Sequence, residues 1–332
     1  MTHVLGIDIA SESFVARALS QEQSPQVLGK AESFSNASDG FVSCIAWSKS
    51  LGLIPANTLV VVEATGIYWE ALALSFHQHG FPLSVVNPAQ VKYYARSVLQ
   101  RGKSDELDAD LIARFGATMN PRLWEPPSAL SEELQVLMRQ RDAYVAMLTQ
   151  EKCRLHSYQH AGHPSQKAIT VCQRTIDFLQ QQIKELDTNF KDTIHKDSHW
   201  QQLYDLLQTI PGIGAITAGI FLTETHALAA FHSARQLTAY VGIAPAPYTS
   251  GSSVFKKPRI SKIGNPRLRR AYYMAALSSI RFNPLMRSFY LRLAAKGKSK
   301  KLIVVAIARK LLVISFALCK SLKPFDPDYL LA

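Results

Sequence analysis

Between Glu224 and Asp326 the chain contains no aspartate or glutamate, while the same stretch holds 19 lysines and arginines. An ordinary solvated surface mixes both signs. Their separation over a whole third of the chain points to a phosphate backbone as partner, with a membrane surface as the weaker alternative. Cysteine is scarce as well. Cys44, Cys153, Cys172 and Cys319 are scattered and form no CxxC pair, which suits reduced thiols in a cytoplasmic protein. Residues 1–10 lack the basic start and small-residue cleavage site of a secretory leader. No clean apolar run of spanning length occurs either. The most apolar segment, 302–318, is interrupted by Arg309 and Lys310 and reads as a buried C-terminal helix rather than a membrane span.

What is present is ample material for globular folding: 332 residues, 47% hydrophobic, with a formal charge of +12. That length favours two domains over one core. Residues 3–9, 13–19 and 26–34 read as three consecutive strands, followed by a helix near 38–50 and a strand at 58–63. Gly66 is expected to open a helix that Gly80 stops near His79; residues 81–86 then form a strand. Pro88 starts a further helix, with Arg96, Arg101 and Lys103 gathered near its end, and 105–117 continues as helix. Strands in a run, then strands alternating with helices, predict a mixed α/β sheet flanked by helices, the order of the ribonuclease-H-like fold. Asn120-Pro121 and Pro126-Pro127 mark a linker.

Beyond the linker, 129–159 and 165–197 read as two long helices turned by Gly162 and Pro164. The second carries Ile169, Cys172, Ile176, Leu179, Ile183, Leu186 and Phe190 in alternating steps of three and four, the seam of a coiled coil. The first is less regular, with Arg141 and Lys152 on seam positions. An antiparallel hairpin used for subunit contacts is expected. The expected divisions are thus a catalytic domain at 1–120, a coiled-coil hairpin at 128–198, and an all-α C-terminal domain at 199–325 with an irregular centre at 244–266.

Four acids stand out. Asp8 interrupts the apolar run 4–9, and Glu63 closes the run 59–62, both where a lone charge in a buried strand is costly unless paired or metal-bound. Asp105 and Asp108 are three apart and share one helix face. Four carboxylates converging would repel, each close pair by about 4 kcal/mol at an effective dielectric near ~20. A divalent cation reverses that sign, and hard oxygen ligands suit magnesium or manganese. Taken singly, such acids are more often caps or ion-pair partners. Glu106 and Asp110 point elsewhere around the same helix and do not complete the set.

Thr209 to Ala215 carries the Pro211-Gly212-Ile213-Gly214 turn of a helix-hairpin-helix between helices 201–208 and 215–224. Gly212 and Gly214 would let free amides at the start of the second helix face a phosphate, although a plain helix–helix turn has the same outline. Then comes Tyr248-Thr249-Ser250-Gly251-Ser252-Ser253, followed by Lys256, Lys257, Arg259, Lys262, Arg267, Arg269 and Arg270. Loop serines are usually solvated turn residues; one backed by cations could attack a phosphodiester. Cys153, His156, His160 and His163 do not make a zinc site, since ligands along one helix ladder cannot surround a tetrahedral ion. Gly297-Lys298-Ser299-Lys300 lacks the glycine spacing of a P-loop.

As an ordered set, Gly6-Ile7-Asp8, 62–66, 103–109 and 211–214 resemble the DEDD transposases of the IS-110 (IS-1111) type, relatives of the Piv DNA invertase. The resemblance covers essentially the whole chain. It implies an N-terminal domain like the junction resolvase RuvC, with magnesium (or manganese) held by Asp8, Glu63, Asp105 and Asp108. It also implies a nucleophilic serine at Ser250 in the Tyr248-Thr249-Ser250-Gly251 context, with Ser252 and Ser253 close by. Ser104 stands where threonine is usual and keeps the hydroxyl. The function implied is excision and insertion of a mobile element through a covalent serine–DNA intermediate. Donor and target DNA would be paired by a structured guide RNA from the element and bound by a dimer assembling to a tetramer, with no membrane involved. The nucleic-acid contacts expected are Lys103, Gly212, Gly214, Lys256, Lys257, Arg259, Lys262, Arg267, Arg269 and Arg270. A hydrolytic junction resolvase without a covalent step is the principal rival. An actin-like kinase would need further phosphate loops that are not found, and a non-catalytic scaffold would tolerate loss of all four acids.

Overall fold

The computed structural model describes residues 1–21, 25–250 and 254–327, with 247–250 and 254–258 described as backbone. The chain divides into two compact units, Met1–Pro126 and Pro127–Ala332, parting within the proline-rich linker.

The first unit is built from β1 (His3–Ile9), β2 (Ser13–Ser20), β3 (Gln26–Ser35), α1 (Ser38–Ser50), β4 (Thr58–Glu63), α2 (Trp69–Gln78), β5 (Leu83–Val86), α3 (Pro88–Ser97) and α4 (Asp105–Met119). The sheet runs β3-β2-β1-β4-β5. β1, β2 and β3 pair antiparallel, whereas β4 and β5 lie parallel to β1. This is the mixed order expected of a ribonuclease-H-like sheet. Helix α2 begins at Trp69, after a turn at 66–68, rather than at Gly66. Its stop is as expected: Gly80 takes a left-handed φ of +80° just past the helix end.

Strand alternation sorts the apolar side chains onto two faces. Leu5, Ile7, Ile9, Val60 and Val62 join Phe41, Ile45, Leu72 and Phe76 of α1 and α2 in one core. Val4, Leu59 and Val61 join Ile112, Ala113 and Phe115 of α4 in the other. Parity therefore assigns Gly6 and Asp8, along with Glu63, to the α4 side of the sheet.

The second unit contains α5 (Ala129–Gln159), α6 (Gln166–Ile194), α7 (Ser198–Gln208), α8 (Ala215–Thr225), α9 (Ala234–Val241), β6 (Pro245–Ser250), β7 (Val254–Ile260), α10 (Pro266–Phe282), α11 (Pro284–Ala295) and α12 (Lys300–Ser321). Helices α5 and α6 pair antiparallel, joined by the Arg141–Asp187 ion pair at 2.5 Å and by the Cys172 thiol donating to the Glu151 carbonyl at 3.4 Å. Their roots, Leu134, Met138, Phe190 and Ile194, are part of the main core of this unit. Helix α12 is apolar and long enough to cross a membrane by length and composition alone. Its Ile303, Ile307, Leu311 and Leu312 are fully buried in that same core, which accounts for the hydropathy.

The expected all-α C-terminal domain needs correcting. β6 and β7 form an antiparallel ribbon across much of the region expected to be irregular, with Pro245 opposite Ile260 and Ser250 opposite Val254. The pairing survives three prolines because a two-stranded ribbon has only edge positions, where a missing N–H is tolerated.

Candidate active site

The four acids are brought together by one close packing. Gly6 on β1 lies directly beneath α4, and a Cβ built there would overlap the Ala113 backbone nitrogen and the Ala109 carbonyl. Further along α4, Gly116 meets Val61 and Val4 with equal intimacy. Ala109, Ala113 and Gly116 form a small-residue stripe that lets the helix settle onto the sheet. Asp105 is the N-terminal continuation of that stripe, and Asp108 adjoins it. Ser104 caps the helix, its hydroxyl accepting from the Leu107 amide at 3.3 Å. On the sheet, Ile7 lies opposite Val62 in the parallel register, so Asp8 and Glu63 follow on adjacent strands at their C-terminal ends. Topology has put two strand-end carboxylates under a helix N-terminus bearing two more.

The electrostatics register the convergence. Burial, then Asp108, Asp105 and Glu63, push the Asp8 carboxyl up to about 6, with Lys103 pulling the other way. Glu63 is raised by burial and by Asp108, against the Thr65 hydroxyl that donates to it at 3.2 Å. Among the described residues no three acidic, histidine or cysteine side chains already stand close enough to ligate one ion. The four are thus at Coulombic rather than ligating distance. Their chemistry nonetheless fits a hard divalent cation, being carboxylate oxygen throughout, and Asp105 is exposed at the start of α4. Glu106 faces Arg17 at 3.9 Å, and Asp110 pairs with Arg114 at 2.7 Å, so both neighbours are engaged elsewhere.

In the second unit, Ser250 ends β6 at the tip of the ribbon, while Ser252 and Ser253 lie outside the described residues. Lys256 and Lys257 follow on β7. Before the ribbon, the turn between α7 and α8 uses its two glycines differently. Gly212 has φ +105°, and any Cβ there would strike Ser279 of α10. Ser279 and Asn283 also donate to the Pro211 carbonyl, at 3.0 and 3.4 Å. Gly214 is the N-cap of α8, with nothing within 4 Å of a Cβ built there, so the space before that helix is open.

A curated relative, the pilin gene-inverting protein of Moraxella lacunata, is 34% identical over 328 residues, covering 97% of each chain. The description "Transposase IS116/IS110/IS902 family" matches 204–291, and a second transposase family model matches 5–163. The chain belongs to the IS110 family of transposases and recombinases. The transposase for insertion sequence element IS1111A of Coxiella burnetii is similar at 24% identity, over 78% of this chain and 77% of that one. Among solved structures, Thermus thermophilus RuvC in complex with a Holliday junction substrate aligns with 37% of this chain at 16% identity and a TM-score of 0.29. At that score the likeness carries no weight, and the fold stands on its own strand order.

Not every cation of this IS110-family chain is free for a polyanion. Arg267, expected to bind nucleic acid, is instead an internal strut. It donates to Glu224, to Asp142 and to the Met138 carbonyl, each at 2.6 Å. Arg269 is half-buried and donates to the Val241 carbonyl at 2.8 Å. Lys103, Arg259, Lys262 and Arg270 are exposed. The sequence reasoning gave no packing role to Gly6, Ala109, Ala113 and Gly116, whose signal is a small residue at each point where α4 approaches the sheet. It also missed Glu224, only 5% exposed, which receives Arg267 and the Asn265 amide at 2.6 Å each.

Proposed function

We propose that the protein exchanges DNA strands for a mobile insertion element, as a magnesium-dependent recombinase working through a covalent serine–DNA intermediate. The observation that carries this reading is the gathering of Asp8, Glu63, Asp105 and Asp108 where β1 and β4 end beneath α4. Those four would hold the ion (magnesium, or manganese in its place), which would neutralise charge at the attacked phosphate. Lys103, close enough to act on Asp8 and Glu63, would orient the incoming DNA backbone. Ser250 Oγ would attack phosphorus. One serine–phosphorus bond forms as one phosphorus–sugar-oxygen bond breaks, and the serine proton ends on the departing sugar oxygen. The reverse step, with a different strand's hydroxyl, rejoins DNA without external energy. The Gly212–Gly214 turn would act as a helix-hairpin-helix, its open α8 amides meeting a backbone phosphate without reading sequence.

Sequence choice would come from an element-encoded guide RNA, with base pairing choosing the site and the protein holding backbone. The acid-free segment supports that division. Strand exchange holds two duplexes at once, and dimers pairing into a tetramer would supply the grip. The coiled-coil arm supports this assembly, because Val171 and Phe178, seven residues apart on α6, are 61% and 58% exposed away from the buried seam.

The test is a denaturing gel of protein with nicked or junction DNA. Wild type should leave a protein–DNA adduct that Ser250→Ala abolishes while DNA binding persists. Cleaved ends without any adduct would instead establish the hydrolytic reading, which the acid cluster of the first unit could serve alone. RNA copurifying as one discrete species would support guidance; degraded bulk RNA would count against it.

A further inference from the structure

The foot of the serine ribbon borders a cleft of about 560 Å³, within the range that accepts a molecule the size of a nucleotide. Its floor is aliphatic, formed by Ile243, Ile260, Val305 and Ala306. Four cations line it: Arg259 on β7, Lys298 ahead of α12, and Arg309 and Lys310 on α12. Lys310 Nζ sits 5.1 Å from the Phe289 ring centroid, a cation–π contact that fixes this ammonium at the cleft wall. Among the described lining residues there is no acid, hydroxyl or amide side chain.

The floor alone would suit an acyl chain and the cations alone any polyanion. Both together suit a flat apolar body with an anion attached close by, which describes a nucleotide with its base inside and its phosphate at the rim. The base must be unpaired, since duplex bases already have both faces stacked. Deoxyribose is favoured over ribose because a 2′-hydroxyl entering this lining would lose its water and find only cationic donors, with no side-chain acceptor for its own proton. The position agrees. Pro245 and Ile260 close the foot of the ribbon and Ser250 ends it, five residues or roughly 17 Å along the strand.

We propose that this cleft receives an unpaired DNA nucleotide a short way along the strand on which Ser250 acts. It rests on the reading of Ser250 as a residue that addresses DNA, but equilibrium binding requires neither metal nor serine chemistry. The experiment is fluorescence anisotropy of the full chain in chelator. Its probes are a labelled twelve-nucleotide oligothymidylate, an abasic deoxyribose-phosphate chain of equal length, and the matching oligouridylate. Oligothymidylate should bind roughly tenfold more tightly than the abasic chain, and more tightly than oligouridylate. Ala306→Phe should erase the preference over the abasic chain while leaving abasic affinity unchanged. Lys298→Ala with Arg309→Ala should weaken both DNA probes in parallel. If Ala306→Phe does not fold, Leu302→Gln at the half-exposed mouth makes the same reading.

A preference that survives the filled cleft, or tighter binding of oligouridylate, overturns the proposal. So does a shift of Ala306→Phe to a smaller oligomer in sedimentation, which would mean the cleft seats a second copy. Loss of phosphatidylglycerol vesicle binding in that variant would assign the cleft to lipid and equally overturn it. Failure of the serine reading would appear separately, as a missing adduct with the thymidylate preference intact.

Discussion

In the first unit, Asp8 is half-buried among three other carboxylates and its carboxyl is pushed up to about 6. In the second unit, Glu224 is more deeply buried yet fully engaged by Arg267, Asn265 and, at 3.7 Å, Arg139. Burial alone does not distinguish the two; partnership does. A buried acid with its cations beside it is a strut, here tying α5, α8 and α10 together. A cluster of acids short of cations is unfavourable as it stands and favourable once a cation arrives. That distinction separates a structural carboxylate from the four proposed to be catalytic.

The largest effect should come from the cluster. Asp105→Asn keeps the volume and the exposed helix start, so folding should hold while strand cleavage in magnesium falls by on the order of a thousandfold. Full activity in that variant would remove the metal reading. Glu224→Ala should do the opposite, leaving the acid cluster intact but stranding Arg267. Losing one partner of a buried pair costs roughly 3–5 kcal/mol, visible as a lower unfolding midpoint of the second unit in urea.

The two glycines of the α7–α8 turn give a finer contrast. Gly212→Ala combines a left-handed backbone with a clash against Ser279 and should cost roughly 2 kcal/mol or more. Gly214→Ala meets nothing and should stay within about 0.5 kcal/mol, both variants being read by unfolding in urea. A further effect, smaller than that of Gly212→Ala, is a pH dependence in chelator. Folded Asp8 binds its proton more readily than the unfolded chain, whose carboxyl stays near 3.8. Stability from this group is therefore present at low pH and lost as pH rises through about 6. Asp8→Asn should flatten that loss, gaining on the order of 1 kcal/mol above pH ~6 after allowance for solvent screening. Added magnesium should narrow the gap by restoring wild type; an unchanged gap would mean that the carboxylates do not share an ion.

Much of this was legible in the chain. β-branched runs gave β1 and β4, and the three-four spacing from Ile169 to Phe190 gave the buried side of α6, because periodicity is a local property. The ribbon was not legible, since Pro245, Pro247 and Pro258 count against strands until an edge position is available to hold them. Arg267 was misread for a different reason. Its partners Asp142 and Glu224 lie 125 and 43 residues away, so in sequence it looks like one more cation in an acid-free stretch.

By itself the sequence determined which residues alternate toward a core, which four acids interrupt that pattern, and where negative charge is withheld. All of these follow from local periodicity and composition. Only the tertiary structure decided that Gly6 admits α4 closely enough to bring Asp105 and Asp108 toward Asp8 and Glu63, and that Glu224 and Arg267 cancel one another. The physical reason is that Coulomb energy and steric contact depend on separation in space, and the chain encodes that separation only through the packing of distant segments.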